Sequence, residues 1–219
     1  MSSQQRQYEP GDGTPASQDT SACLSYDDHN LYVVFVCRDE PGRIRARMSK
    51  QEDIESDDSV AVHLNTFHDH HRAYVLTANP LGIQQDGIWT EGQEQDNSFD
   101  ALWHSQGRLT GQGFVVLMAI PFRSLRFSGA PLQTWGIALS RSIRRNNERS
   151  FWPRITQRIA SLAQQFASLE GLEPISPGRN MQFIPYFAAS RARRARFPGR
   201  CRGACGPRCQ IRAARCAHI

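Results

Sequence analysis

Short hydrophobic runs alternate with polar, turn-rich stretches along most of the chain. Residues 31–37 are β-branched and aromatic, and the alternation in residues 59–64 places Val60, Val62 and Leu64 on one face of a strand. Further strands are predicted at residues 72–78, 82–89, 101–109, 113–120, 134–141 and 181–186. Residues 1–19 are rich in Gln, Gly, Pro and Ser and are predicted to be an irregular lead-in.

Helical patterns are scarce between these runs. Pro121 begins a predicted single helical turn over residues 121–126, and residues 155–169 read as either a short helix or a long loop. The polar link 65–71 is predicted to be a hairpin turn. Most of the gaps are too short and too polar to hold the helical crossovers of a parallel sheet. The pattern therefore predicts an all-β, antiparallel sandwich of the immunoglobulin-like or jelly-roll type, over residues 20–190.

Composition supports a folded domain and bears on whether the sequence holds a membrane-spanning run or a signal peptide. The chain is 39% hydrophobic and 9% aromatic, enough for a real core. No apolar run approaches the ~18 residues that span a bilayer. The opening residues are polar, so the sequence as written is expected to carry no signal peptide.

Positive charge is concentrated in residues 191–219. This segment holds nine arginines and no acidic residue, so residues 1–190 are net acidic although the whole chain carries +5. A nucleic-acid partner is therefore not expected. Three explanations of the tail stay open: a frameshifted or read-through end, a disordered basic arm that binds polyanions, and a zinc site. The zinc ligands would be Cys201, Cys205, Cys209 and Cys216.

Two further cysteines, Cys23 and Cys37, fall within predicted strands. A disulfide between neighbouring strands would form only in an oxidising compartment. The favoured alternative is that both are small buried hydrophobic residues.

Several segments resemble one family when they are taken in order. The run YDDHNLYVVFV at residues 26–36 is similar to a strand entry of the family 9 carbohydrate-binding-module-like domains. The other matching segments are 57–69, 74–86, 99–103, 119–127, 135–148, 171–179 and 184–186. The resemblance covers residues 8–190. More specifically, the segments resemble the amino-terminal domain of bacterial exported proteins that carry a downstream, outer-membrane-associated β-rich region.

The resemblance implies a β-sandwich, an exported parent protein (periplasm, outer membrane or extracellular) and carbohydrate binding linked to polysaccharide catabolism. The sequence departs from the family in five ways. Asn65 stands where the family has Asp, and Phe99 stands where it has Trp. The usual first strand, the signal peptide and the downstream β-rich region are all missing. These departures suggest a gene fragment and leave open whether the sandwich lacks its first strand.

Tryptophans are the leading candidates for a sugar platform, because a flat ring stacks on the apolar face of a pyranose. Trp89 follows a polar loop and is expected to be exposed. For Trp103, an exposed sugar-binding platform and a place in the core are predicted equally. Trp135 is predicted to be core, and the role of Trp152 stays open. Predicted polar partners of the sugar, with ordinary turn and capping roles as the alternative, are Asn79, Gln84, Asp86 and Asp100.

Calcium is the cofactor that the sequence suggests for the body of the domain. Asp57, Asp58 and Asp96 are its predicted ligands, because Ca²⁺ binds hard oxygens and these acids lie on loops. Other loop acids that could contribute are Asp86, Glu91, Glu94 and Asp100. The alternative is solvated acids that keep the domain soluble. The histidines of residues 68–71 are read as a polar turn rather than a metal site.

No catalytic residue is predicted. Glycoside hydrolysis needs a pair of carboxylates, and nothing in the sequence selects one; no G-x-S-x-G, P-loop or dinucleotide-binding motif is present. Six arginines form a basic stretch that either meets acidic sugars or lipid headgroups or is a solvated, salt-bridged face: Arg141, Arg144, Arg145, Arg149, Arg154 and Arg158. The main prediction is a non-catalytic carbohydrate-binding module. The alternatives are a structural domain of an outer-membrane-associated protein and part of an O-glycosyl hydrolase.

Overall fold

The computed structural model describes residues 5–173 and residue 175. These residues form strands joined by loops, with 3₁₀ turns at Pro41–Arg43, Phe122–Ser124, Arg144–Asn146 and Ala163–Gln165. The strands are β1 Arg6–Glu9, β2 Thr20–Tyr26, β3 Asn30–Arg38, β4 Ser59–Asn65, β5 Arg72–Ala78, β6 Gln84–Thr90, β7 His104–Thr110, β8 Gly113–Pro121, β9 Gln133–Ile143, β10 Glu148–Trp152 and β11 Ala167–Leu172. Among the described residues, no helix has the length and apolarity needed to cross a bilayer.

The strands form two antiparallel sheets. The seven-stranded sheet has the order β1-β10-β9-β4-β5-β6, and the four-stranded sheet has the order β2-β3-β8-β7. Strand β11 pairs with residues 133–137 of β9, and β10 pairs with residues 139–143 of the same strand, so these two short strands follow one another along one edge of β9. The predicted all-β sandwich is confirmed.

The core lies between the two sheets and is built from the alternation visible in the sequence. Val60, Val62 and Leu64 are all fully buried on the inner face of β4, as predicted. Trp135 is also fully buried, and its ring centroid lies 5.2 Å from that of Phe127. The prediction that this tryptophan belongs to the core is confirmed.

One region differs from the sequence-based prediction, one favours the loop over the helix alternative, and one confirms the prediction. Part of the expected lead-in forms β1, which pairs with β10. Residues 155–169 contain no α-helix: they hold one 3₁₀ turn and the start of β11. The hairpin predicted at 65–71 is confirmed, since β4 and β5 flank it and pair. The predicted strand 181–186 and the four cysteines of the tail lie outside the described residues.

The two described cysteines are free. Cys37 is buried, and burial raises the pKa of its thiol to about 12. Cys23 is exposed, so its prediction as a buried hydrophobic residue is wrong. It lies on the outer face of β2, opposite Val34, whereas Cys37 lies opposite Thr20. The alternation of β2 therefore turns Cys23 away from the core, and the register separates the two thiols.

A buried arginine connects the two sheets at one end of the sandwich. Arg141 of β9 has no exposed surface, and its guanidinium pairs with the buried carboxylate of Asp39 at 2.7 Å. It also donates to the carbonyls of Asp19 and Arg38 and to the Thr20 hydroxyl. These acceptors lie at the start of β2 and the end of β3, so Arg141 links the seven-stranded sheet to the four-stranded one.

Candidate functional site

A groove of about 500 Å³ lies on the outer face of the seven-stranded sheet. The strand register aligns Gln85, Thr77, Ala61 and Ser140 in one row across β6, β5, β4 and β9. Side chains alternate along a strand, so all four point away from the core whose inner face holds Val62. The short side chains at the centre of the row, Ala61 and Ser140, leave a depression in the sheet surface.

One wall of the groove rests on a glycine. Gly87 of β6 carries no side chain, and the segment containing Gln95 and Asn97 lies directly above it. Asp96 forms a two-way backbone bridge with Ile88, with N···O distances of 2.9 Å in each direction. The bridge extends the sheet beyond β6, and the amides of Gln95 and Asn97 line the groove.

The opposite wall is the β9–β10 turn with the start of β10. Arg144, Asn147, Glu148 and Arg149 line this side. Asn147 ends the 3₁₀ turn in a left-handed conformation, with a φ of 48°. The Arg144 amide donates to the carboxylate of Asp58 at 2.8 Å, which holds the turn against the start of β4.

Arg149 contributes a positive charge to the groove. Its guanidinium lies over the Phe151 ring, 5.0 Å from the centroid. Burial lowers the pKa of this group, and the negative charge of Glu9 opposes that effect. No hydrogen bond or ion pair joins the Arg149 side chain to another residue in the described part of the chain.

The groove combines hydroxyl, amide and charged groups in a shallow trough. Its remaining lining residues are Glu9, Ile54, Glu55, Ser59, Val75 and Ser142. Such a surface can bind a ligand that offers many hydrogen-bonding groups. Apart from Arg144 and Arg149, sequence reasoning named none of the residues that carry this chemistry. A usable signal was the set of small or polar residues at the outward positions of β4, β5 and β9.

The predicted sugar-binding tryptophans occupy different places. Trp89 lies on the same outer face as Gln85, half-buried, but it is separated from the groove by the wall above Gly87. Trp103 is 4% exposed and belongs to the core, which favours the core alternative for this residue. Trp152 is half-buried and packs against the core.

The predicted polar partners are mostly engaged within the protein. The fully buried Asn79 donates to Asp57 and accepts from the amides of Leu81 and Ile83, which holds a turn. This favours the turn alternative for Asn79. Gln84 is half-buried and donates to the Trp103 carbonyl at 3.1 Å.

The two aspartates among the predicted partners differ in exposure. Asp86 is fully buried; burial raises the pKa of its carboxyl, and the donating amide of Ala101 opposes this. Asp100 is exposed, and its role in sugar binding stays a prediction.

The predicted calcium ligands are not brought together. Asp57 and Asp58 are buried, and their carboxylates accept hydrogen bonds from the amides of Arg47 and Arg45 respectively. Asp96 is exposed on the β6–β7 loop, where Ser98 donates to it and lowers the pKa of its carboxyl. Among residues 5–173 and 175, no three His, Cys, Asp or Glu side chains could share a metal ion. Calcium binding stays a prediction.

The histidines of residues 68–71 form the predicted polar turn. His68 and His70 have φ values of 52° and 61°, which are typical of turns. His71 pairs with Glu91 across the hairpin at 2.8 Å.

Substitution of Gly87 by alanine is expected to displace the amide wall. A Cβ at this position would lie 2.8 Å from Asn97 Oδ1 and 2.9 Å from the Asp96 carbonyl oxygen, closer than packed atoms allow. We expect G87A to lose about 1–3 kcal/mol of unfolding free energy in urea. The amide of Asp96 should also exchange faster with solvent. G42A is the matched control, because a Cβ there meets no atom within 4 Å. Equal stability of the two variants would contradict this account of the wall.

Solved structures share this architecture. A candidate carbohydrate-binding protein from Bacteroides uniformis superposes with a TM-score of 0.59 at 11% identity, over 76% of this chain and 85% of that one. A family 9 carbohydrate-binding module from Caldicellulosiruptor kristjanssonii, in complex with cellotriose, superposes with a TM-score of 0.50 at 13% identity, over 84% and 88%. This chain has the fold of a family 9 carbohydrate-binding module.

A glucose complex of a family 9 module from the same organism gives a similar result, with a TM-score of 0.50 at 14% identity over 78% of this chain and 83% of that one. No protein-family model matches the chain, and no curated protein matches it in sequence. The fold implied by the sequence resemblance is confirmed by the superposition of the backbones.

Proposed function

We propose that the chain is a non-catalytic carbohydrate-binding module and that the groove on the seven-stranded sheet is its binding site. The observation that carries the proposal is the polar trough of about 500 Å³ between the amide wall and the β9–β10 turn. The likeness to modules solved with cellotriose and glucose supports the same ligand class. A saccharide supplies the many donors and acceptors that such a lining requires.

Recognition in this groove would rest on hydrogen bonds. None of its lining residues that the structure describes is aromatic. Gln85 and Asn97 offer both donors and acceptors on one side, while Ser142 and Arg149 lie on the other. Trp89 is the nearest candidate for a stacking platform on the same sheet face, for a chain long enough to cross the amide wall.

The test is a glycan-array screen of the full chain, with and without calcium, followed by calorimetric titration of each hit. We expect the double variant Q85A/N97A to bind a hit about tenfold more weakly, because it loses hydrogen bonds worth about 0.5–1.5 kcal/mol each. Q106A is the matched control, since Gln106 is exposed on the four-stranded sheet. Unchanged binding by the double variant would remove the groove from the proposal.

Three further measurements separate the sequence-based predictions from the groove. A glycan whose binding falls in W89A but not in Q85A/N97A would place the site at Trp89. Loss of binding on chelation, restored by calcium, would support a calcium-dependent module. Release of reducing ends from a bound glycan, abolished in an acid-to-amide variant, would favour the O-glycosyl hydrolase alternative.

The cellular setting belongs to the same proposal: an exported parent protein in which the module serves polysaccharide catabolism. The alternative is a structural domain of an outer-membrane-associated protein. It is favoured by the apolar residues Val34, Val36 and Leu117 on the outer face of the four-stranded sheet, where Val36 is 43% exposed. A folded chain that binds no glycan would support this alternative.

A further inference from the structure

Arg149 is the feature of the groove that the proposed function leaves unexplained. Its guanidinium is half-buried against Phe151, and within the described residues it has no acceptor. Removing a charge from water is unfavourable unless the charge is paired. A half-buried, unpaired guanidinium that lines a groove therefore creates a site in which a bound anion is stabilised.

Other arginines of the same basic stretch are paired. Arg141 and Arg145 share the carboxylate of Asp39, each at 2.7 Å. Arg158 lies 3.5 Å from the Asp12 carboxylate. The fold thus supplies carboxylates to neighbouring arginines, and the salt-bridged alternative holds for these three residues.

Acidic side chains also line the groove and limit where an anion can bind. The Glu148 carboxylate already accepts the Ser17 amide at 2.9 Å, so this donor stabilises its charge. Glu9 acts on Arg149 through its charge but forms no ion pair with it. Glu55 is exposed and lines the groove at the start of β4, close in sequence to Ser59. The anion position is therefore beside Arg149 and Ser142, which lie opposite each other on β10 and β9.

We propose that the groove binds an acidic saccharide, with the anionic substituent of a sugar ring on Arg149 and its hydroxyls toward Ser142, Gln85 and Asn97. This inference rests on the proposed function and specifies its ligand class. A carboxylate or a sulfate ester could supply the anion, and planar bidentate pairing with a guanidinium favours the carboxylate.

The experiment titrates the full chain with trigalacturonate, with its fully methyl-esterified form and with a sulfated galactose disaccharide. We expect trigalacturonate to bind at least about tenfold more tightly than the neutral ester, as a charge-assisted hydrogen bond would provide. Tighter binding of the sulfated sugar than of trigalacturonate would assign the anion to sulfate. Equal binding of the acid and the ester would overturn the inference.

The variant R149Q should bind trigalacturonate about tenfold more weakly while its binding of the neutral ester changes less than about twofold. R154Q is the matched control, because Arg154 is exposed and does not line the groove. An equal loss for both sugars in R149Q would contradict a charge-specific role. If R149Q does not fold, R149K tests the planar fork instead. It keeps the charge and removes the bidentate geometry, so it should bind trigalacturonate more weakly than the unsubstituted protein while its binding of the neutral ester is unchanged.

The outcomes separate the two proposals. A chain that binds neutral oligosaccharides as well as acidic ones fails only the further inference. A folded chain that binds none of the three probes and gives no hit on the glycan array fails the proposed function as well.

Discussion

Replacement of Arg141 by methionine is expected to cost about 3–5 kcal/mol of unfolding free energy, because it leaves a buried carboxylate short of its main partner. Asp39 has no exposed side-chain surface and accepts one bond from Arg141 and one from Arg145. R141M also leaves the carbonyls of Asp19 and Arg38 without the donor that now reaches them. Urea unfolding followed by tryptophan fluorescence measures the loss.

The control is R43M. Arg43 pairs with Glu40 at 3.1 Å, but both side chains are about two-thirds exposed, at 64% and 66%. Exposed pairs contribute about 0–1 kcal/mol, so R43M should stay close to the unsubstituted protein. The double variant R141M/D39L should be less destabilised than R141M, because the orphaned charge is removed together with its partner. A loss of unfolding free energy below about 1 kcal/mol in R141M would contradict the proposal that this arginine stabilises the contact between the sheets.

The inner faces of the sheets were predictable because hydrophobic alternation records them directly. Val60, Val62 and Leu64 repeat at every second residue, and all three are buried. Trp135 lies within a strong hydrophobic run, and it is core. A strand that pairs through a polar sequence leaves no such record, which is why β1, with the sequence RQYE, was read as part of an irregular lead-in.

The candidate site was harder to predict because groove residues are set by three-dimensional register. Ala61 and Ser140 are small residues 79 positions apart that become neighbours only when β4 pairs with β9. The role of Gly87 depends on a loop that folds back over it. No local pattern reveals either relationship.

Acidic and basic residues were misleading for a related reason. Asp57 and Asp58 looked like metal ligands on a loop, yet both are buried and hold backbone amides. The arginines of the basic stretch have different roles. Arg141 is buried and pairs with Asp39 between the two sheets, whereas Arg149 lines the groove and has no ion-pair partner among the described residues. The sequence shows which charged side chains are present. Which of them form ion pairs or hydrogen bonds depends on which strands and loops the fold brings into contact.

A buried histidine should make the domain acid-sensitive. His63 on the outer face of β4 is 1% exposed, and burial, with a smaller contribution from the charge of Arg149, lowers its pKa from 6.5 to about 3. The folded state therefore binds a proton less readily than the unfolded state. The contribution of His63 to stability is complete above about pH 6.5 and is lost as the pH falls toward 3. From this difference we expect a loss of about 2 kcal/mol at pH 5 and about 4 kcal/mol at pH 3.5, relative to pH 7.5.

The variant H63Q isolates this contribution, because glutamine can keep a hydrogen bond to the Ser140 hydroxyl, now 3.0 Å from His63 Nε2, but cannot be protonated. The difference in unfolding free energy between the unsubstituted protein and H63Q should change by about 2 kcal/mol between pH 7.5 and pH 5. H104Q is the control, since His104 is exposed, and its pH profile should follow that of the unsubstituted protein. A parallel profile for H63Q would mean that His63 gains a proton as readily in the fold as in the unfolded chain. The Phe151 and Phe166 rings, 5.4 and 6.1 Å from the imidazole, would then not shield it from water.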